Sequence, residues 1–581
     1  LFVALGYPDQ DYICRIRMGW FMDISRRHCL QLATLATGGL ALASASGAEK
    51  GAPAGPYKAA VEALRRYVEH HLKAYGLPGI TIALADGAGF STTLTAGWAD
   101  VELKRPVTPA HYFEIGSISK SLASLALLKL VDEGRLSLDD DAKVHLPEIR
   151  VTNGKPFTIR HMLTHSSGLP SDPPIGPRGG DGAFWQGFAP GTQFSYSNVC
   201  YQMIGMILSR LRGKPYAEAL AEDVLRPLGM GEAFAAIRPA DRDHYAQGYA
   251  PFHPDRLYAR GGRLAAGPDF TFTNAAGCVA ATPGVMAAYL RWLIDSAAGK
   301  GVALLKPETR KLFSTPAIEA AEFGQGAHYA LGLAVVPLDD RPILYHTGGM
   351  LAFSSSLMVD EAAGVGAFAS VNARAEDSYR PRAVTAYALR LMRAVREGRK
   401  LPEPKDVPSA TKVEDAAALA GTYRAADGSA VELVPAGDGL ALRAGGAVLA
   451  LHNAGDGNFT VVGPDERTSG LHLDMDKGKI RTLGWRSSLY AADGAAPAVI
   501  PEALARCAGL YDGGNPWIGM MEVVARPDGL WLSGTTPLVP LPDGSFRVGS
   551  EEWGPERVRF DLEIDGRPQR MNFSGADLLR V

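Results

Sequence analysis

Apolar positions crowd most densely between Ser117 and Gly134. Leu122, Leu125, Leu127, Leu128, Leu130 and Val131, with Ala123 and Ala126 between them, cover most of the circumference of a helix. The pattern predicts a helix that starts near Ser117 and stops at Gly134, a residue suited to the left-handed position after a helix end. A rod apolar on nearly all sides belongs in a core, and each buried leucine contributes roughly 1.5–3 kcal/mol before chain entropy. Residues 57–75 show helical spacing through Val61, Leu64, Val68 and Leu72. Ile80–Leu84 and Thr92–Trp98 read as paired strands around the turn Asp86-Gly-Ala-Gly89.

Further along, Thr158–Pro170 predicts a short helix closed by Gly168 and Pro170, followed by an exposed Pro-, Gly- and Asp-rich loop from Ser171 to Gly182. An apolar helix is expected over Tyr201–Leu211. A strand pair, Phe353–Val359 and Gly366–Val371, turns at Asp360–Gly364, and a helix spans residues 379–396. Helices and strands are grouped rather than alternating. The expected fold class for residues 55–400 is therefore α+β, with an antiparallel β-sheet flanked by helices.

Beyond the Pro-rich stretch Leu401–Pro408 the pattern changes to short strands and turns, and it repeats. Gly421-Thr-Tyr423 returns as Gly509-Leu-Tyr511, and Val431-Glu-Leu-Val434 as Met521-Glu-Val-Val524. Asp438-Gly-Leu440 returns as Asp528-Gly-Leu530, and Asp456-Gly-Asn-Phe459 as Asp543-Gly-Ser-Phe546. Four matches in the same order predict two small all-β domains, residues 413–495 and 500–581, each an up-and-down barrel or half-barrel. The aspartates fit hairpin turns better than ligand positions. The loop Asp512-Gly-Gly-Asn-Pro-Trp517 is a candidate to overhang a cleft and restrict substrate size.

At 581 residues the chain needs several cores. A net charge of −3, with 21% charged and 46% apolar residues, gives no electrostatic reason to expect nucleic acid or stable membrane insertion. Residues 1–48 form a leader in which Ser25-Arg26-Arg27 precedes a mildly apolar, small-residue run. This pattern matches a twin-arginine export signal and predicts a periplasmic or secreted protein. Met22 is then the natural initiator. Cys200, Cys278 and Cys507 follow the leader without metal-ligand spacing, and no disulfide framework is expected.

Candidate chemistry begins on the apolar helix. Ser117 and Lys120, three residues apart, share a face, and a hydroxyl at a helix start lies near unpaired backbone N–H groups. Ser-x-x-Lys is therefore a candidate activated nucleophile. The same spacing at Ser409 and Lys412 lies in the linker region, with no apolar helix to carry it. His161 and His165, four apart, could suit a metal. Without an intervening Glu or a third ligand, a hydrogen-bonded helix end accounts for them better, and neither metal nor cofactor is expected.

Ser117-Ile-Ser-Lys120, Tyr196-Ser-Asn198 and His346-Thr-Gly348 occur in that order, the second and third nowhere else in the chain. With the run Ile159–Pro170, they make residues 55–400 resemble the serine penicillin-recognising superfamily. The likeness is to its class C β-lactamase-like branch, which includes D,D-peptidases, D-aminopeptidases and carboxylesterases. The two-domain tail is similar to that of the D-aminopeptidase members. The resemblance implies that Ser117 is acylated, that Lys120 accepts or relays its proton, and that Tyr196 protonates the leaving group and later activates water. Ammonium charge nearby is expected to favour phenolate character in Tyr196. Asn198 would bond Lys120 and the substrate amide, and the backbone N–H groups of Ser117 and Gly349 would form an oxyanion hole, with His346, Thr347 and Gly348 also binding substrate.

His346 departs from the lysine usual in β-lactamases. It forgoes a charge-assisted contact worth about 1.5–3 kcal/mol and resembles the aminopeptidase and esterase members. The expected function is an exported serine hydrolase of small amides or short peptides, D-aminopeptidase- or D,D-peptidase-like. A carboxylesterase or class C-type β-lactamase of the same fold, and a silent binder of peptidoglycan fragments, are the alternatives.

Overall fold

The computed structural model describes residues 55–581 apart from 153, 178–181, 254, 376–378, 456, 465–467, 487, 494 and 496–498. The expected leader, with its twin arginines, and Asp456 lie outside the described residues. No helix among the described residues is long and apolar enough to cross a membrane.

A nine-stranded antiparallel sheet forms the middle of the first domain. Its strands are β1 (Gly79–Asp86), β2 (Ser91–Asp100), β3 (Arg105–Pro106), β4 (Ile318–Glu319), β5 (His328–Tyr329), β6 (Ala334–Leu338), β7 (Arg341–Gly349), β8 (Ser354–Asp360) and β9 (Val365–Val371). They lie in the order β3-β2-β1-β9-β8-β7-β6-β5-β4. The two predicted hairpins occur as read, with Leu84 opposite Thr92 and Asp360 opposite Val365. The expected strand pair gains β7 as a third member, with His346 opposite Leu357 and Gly349 opposite Ser354.

Both faces of the central strands are covered, which is why these strands read as nearly continuous apolar runs. Ile80, Ile82 and Leu84 pack with helices α1 (Lys58–Tyr75) and α5 (Arg382–Arg396). Ala83 and Ala85, alternating with them, face the larger core built by α2 (Ser119–Asp132), α3 (Asn198–Arg212) and α4 (Pro283–Ala297). Leu122, Leu125, Leu127, Leu128 and Leu130 are fully buried there.

Several predicted boundaries shift for local reasons. The rod opens with a 3₁₀ turn, Gly116–Ile118, and becomes an α-helix at Ser119; Gly134 takes the left-handed conformation expected of it, at φ 70°. The helix after Thr158 ends at Leu163, because His165 itself turns left-handed at φ 55°, earlier than Gly168. The α3 helix starts three residues before Tyr201, since the Ser197 side chain accepts from the Cys200 N–H and caps it.

The tail forms two closed eight-stranded barrels rather than half-barrels. Tyr423 pairs with Ala492 to close the first, and Tyr511 pairs with Arg580 to close the second. The repeated Gly-x-Tyr builds the same corner twice. Tyr423 donates its hydroxyl to the Leu419 carbonyl at 3.2 Å, and Tyr511 donates to Cys507 at 2.8 Å, each four residues upstream. Asp543 plays the turn role read for it, accepting from the Ser545 N–H at 3.0 Å and the Ser545 hydroxyl at 2.6 Å.

The sheet is joined to the Ser117 turn by glycines that permit contact between backbones. A Cβ on Gly348 would stand 1.9 Å from the Ile115 carbonyl oxygen and 2.3 Å from Ser355 Oγ. A Cβ on Gly116, at φ +54°, would lie 2.7 Å from Gly349 N. Into that space Ser355 Oγ donates to Ile115 O at 2.8 Å. Gly348→Ala is expected to force β7 off the turn and to destabilise the first domain by about 1–3 kcal/mol through overpacking. A lower denaturation midpoint at unchanged far-ultraviolet circular dichroism checks this.

Candidate active site

The turn that carries Ser117 is held from two sides. Phe113–Glu114 pairs with Ala280–Ala281, Ile115 N–H donates to Val279 O at 3.0 Å, and Val279 N–H donates to Ser119 Oγ at 3.1 Å. Opposite lies the glycine end of β7. Ser117 is half-buried, while Gly116, Ile118, Ser119 and Lys120 around it are buried.

One helical turn on, Lys120 is fully buried, and its three N–H donors meet three acceptors. Nζ donates to Ser117 Oγ at 2.9 Å, to Asn198 Oδ1 at 2.6 Å and to the Ala276 carbonyl at 2.8 Å. It also lies 4.8 Å from the ring centroid of Tyr196 and 5.5 Å from that of Tyr201. Burial is the main influence on the amine and, against the opposing pull of Asp172, lowers its pKa to about 7. A lysine in this state is partly neutral at ordinary pH, which suits it to take a proton from the hydroxyl it touches.

Tyr196 comes within hydrogen-bonding reach of the Ser117 side chain. Its phenol does not have the expected phenolate character. Burial pushes it well above the usual tyrosine range, and the bond to Ser117 and the charge of Arg380 oppose this without reversing it. Tyr196 is therefore a neutral acid at rest. Behind it, the His165 ring lies 4.2 Å away at 30°, and His165 Nδ1 accepts from the Ser197 N–H at 2.9 Å. Burial first, then Lys120 and His346, hold His165 neutral. His161 belongs to the capping box at Thr158. Among the described residues no group of three or more His, Cys, Asp or Glu could hold a metal ion.

Asn198, the first residue of α3, joins the cluster through both sides of its amide. Its Oδ1 faces Lys120, and its Nδ2 donates to Asp172 at 2.9 and 3.1 Å. His346 is nearly completely buried, and burial lowers its pKa to about 3. Its Nδ1 lies 2.6 Å from the Thr347 carbonyl and Nε2 lies 3.0 Å from Tyr329 Oη. A neutral ring thus donates to Thr347 and accepts from Tyr329, and both nitrogens are committed within the protein rather than turned to the cleft. A pocket of about 340 Å³ shares Tyr196 with this cluster and is lined also by Thr347, Tyr345, Glu322, Phe323, Arg380 and Arg382. The Arg380 guanidinium rests on Gly349, where a Cβ would meet Nη2 at 2.2 Å.

The structure thus brings Ser117, Lys120, Tyr196 and Asn198 together, places Thr347 in the adjoining pocket, and sets Gly348 and Gly349 against the Ser117 turn. Sequence reasoning missed Asp172, Ala276, Arg380 and Arg382. Asp172 stood in the loop read from Ser171 to Gly182, and Arg380 and Arg382 in the segment 379–396 read as a helix, none of them as a site residue. Trp517 stacks on Phe272 with ring centroids 4.8 Å apart and meets Phe270 edge-on at 5.6 Å. Cys200, Cys278 and Cys507 are free and buried.

The chain is similar to known proteins. It is 30% identical over 200 residues to Protein flp of Staphylococcus aureus (strain MRSA252), covering 31% of this chain and 40% of that protein. It is 28% identical over 180 residues to a beta-lactamase of Escherichia coli (strain K12), covering 30% of this chain and 48% of that one. The chain therefore spans less than half the length of these curated relatives. In fold it is similar to the octameric penicillin-binding protein homologue from Pyrococcus abyssi, at a TM-score of 0.51 and 24% identity, over 74% of this chain and 99% of that one. The Beta-lactamase family model matches residues 64–392, more than half of the chain, from within α1 to within α5, a stretch that includes Ser117, Lys120 and Tyr196. The chain belongs to the beta-lactamase family of serine hydrolases.

Proposed function

We infer that this chain is an exported serine hydrolase that cleaves small amide or short peptide bonds through an acyl-enzyme on Ser117, in the manner of D-aminopeptidases and D,D-peptidases. The observation that carries the reading is the buried Lys120 amine, 2.9 Å from the Ser117 hydroxyl and with a pKa of about 7. In its neutral form this amine accepts the Ser117 proton as Oγ adds to the substrate carbonyl. The backbone N–H groups of Ser117 and Gly349, brought together by the Gly116–Gly349 contact, receive the developing oxyanion. As the tetrahedral intermediate collapses, the C–N bond breaks and the Tyr196 phenol protonates the departing nitrogen. The lysine proton then restores Tyr196. Water repeats the sequence in reverse, giving its proton to the same pair and its oxygen to the acyl carbon.

The pocket beside Tyr196 favours a peptide over a neutral ester. His346 is neutral, but Arg380 and Arg382 bring two positive charges to the pocket against the single carboxyl of Glu322, whose pKa burial raises. That charge suits the carboxylate of a departing amino acid or peptide. The leader residues 25–48 support export to the periplasm or beyond.

Intact-mass detection after incubation with D-amino-acid amides, p-nitrophenyl esters and penicillins tests the reading. The amides are expected to leave an adduct on the wild type that Ser117→Ala lacks. Adducts from p-nitrophenyl esters alone would make the protein an esterase. The acid limb of kcat/KM is expected at an apparent pKa of about 7, since activity needs neutral Lys120 and is lost as pH falls and the amine is protonated. Initial rates between pH 5 and 9 check this. Arg380→Ala is expected to raise KM about ten- to a hundredfold for substrates with a free carboxylate, from loss of a charge-assisted contact. Substrates amidated at that end should change little.

A further inference from the structure

A continuous series of hydrogen bonds runs from the second barrel to the nucleophile. The Ser574 hydroxyl donates to Glu556 Oε2. Glu556 Oε1 accepts from the backbone N–H of Ser171 at 2.6 Å, and Ser171 Oγ donates to Asp172 Oδ2 at 2.7 Å. Asp172 accepts both bonds from Asn198 Nδ2, and Asn198 Oδ1 accepts from the same Lys120 ammonium that reaches Ser117.

The chemistry of each link fixes the direction of the next. A carboxylate can only accept, so Asp172 requires Asn198 to turn its NH₂ outward. The amide carbonyl is then left facing Lys120. The opposite orientation would aim two N–H donors at a buried ammonium, where the low dielectric makes the repulsion costly. Asp172 is exposed, on a loop of low regularity, and its own position depends on how Ser171 is held. From the first domain, Val199 N–H donates to the Ser171 carbonyl at 3.0 Å. From the barrel, Glu556 takes the Ser171 N–H, so the residue is gripped on both sides.

The barrel segment around Glu556 is itself docked. Trp185 Nε1 donates to Pro555 O at 2.7 Å, and Phe188 meets Trp553 edge-on at 5.6 Å. Gly187 lies so close that a Cβ would stand 2.4 Å from Trp553 O.

We propose that Glu556, on the second barrel, is a positioning residue of the acylation centre. It acts through Ser171 and Asp172 to fix the amide of Asn198 and thereby the amine of Lys120. The assignment rests on Ser117 being the nucleophile and adds to it a role for the tail: the barrel completes the catalytic environment without touching substrate. The charges involved are few. Glu556 faces Asp172 and Arg557, and Lys120 faces Asp172, the rings of Tyr196 and Tyr201, and the neutral His165 and His346. Asp172 is the group that holds the lysine proton on, so releasing it lets the amine lose its proton at lower pH.

The test is the rate at which a fluorophosphonate probe labels Ser117 in the full chain, measured from pH 5 to 9. Glu556→Ala is expected to slow labelling at pH 8 about ten- to a hundredfold, the scale of a lost bond to a charged group, and to move the acid limb to lower pH. Glu556→Gln keeps an acceptor for Ser171 and a partner for Ser574, and should stay within about threefold of the wild type on the same scale. Asp172→Asn, a change on an exposed loop, should move the limb in the same direction at unchanged thermal stability. A folded Glu556→Ala protein with the wild-type plateau and limb overturns the proposal. If that variant does not fold, an unmoved limb in Asp172→Asn overturns it. Absence of labelling in the wild type instead overturns the nucleophile assignment and, with it, the relay.

Discussion

A positive charge buried to zero exposure at the start of an apolar helix sets the terms for the rest of the site. Lysine cannot occupy such a place without acceptors, because an unpaired ammonium in a core costs several kcal/mol. Here the acceptors come from three different parts of the chain: the Ser117 hydroxyl, the first turn of α3 and the carbonyl of Ala276. Each must be delivered to within hydrogen-bonding distance of one nitrogen. The cost of burying the amine is thus also what draws the helix starts and the 274–281 segment onto one point. The same desolvation that brings the amine near neutrality keeps Tyr196 protonated, so a base and an acid result from one environment acting on groups of opposite charge type.

Much of this was legible in the sequence because it is local or periodic. Lys120 beside Ser117 follows from helical spacing, the apolar rod from its leucines, and the barrels from a repeated order of Gly-x-Tyr and Asp-Gly pairs. The Tyr196-Ser-Asn198 and His346-Thr-Gly348 patterns marked the other two walls by resemblance rather than by physics. What stayed hidden depends on contacts between distant segments. Nothing near Asp172 distinguishes it from other aspartates of a Pro- and Gly-rich loop, and Glu556 has no periodic partner at all. Arg380 stands at the edge of the segment 379–396, read only as a helix, yet its guanidinium lies on Gly349.

Other departures have local causes that can be named. Helix α4 carries an evident start signal, Thr282 before Pro283, and the Thr282 side chain does accept from the Val285 N–H. Here a readable cue was passed over. The left-handed His165 could not be read in this way, because positive φ is uncommon even for histidine, and here the ring lies against Tyr196. Tyr196 itself shows the limit of arguing from one neighbour. The nearby ammonium pointed toward phenolate, but removal from water outweighs it.

The hydrogen-bonded path from Ser574 to Lys120 also has a bearing on the order in which the polypeptide is made. Ser117 leaves the ribosome long before Glu556 and Ser574, and the Ser574 hydroxyl meets Glu556 once the strands on either side of Ser574 have paired. Until then the path to Lys120 lacks its outermost link. A nascent chain still short of Ser574 would therefore carry Ser117 and Lys120 without the far end of that path.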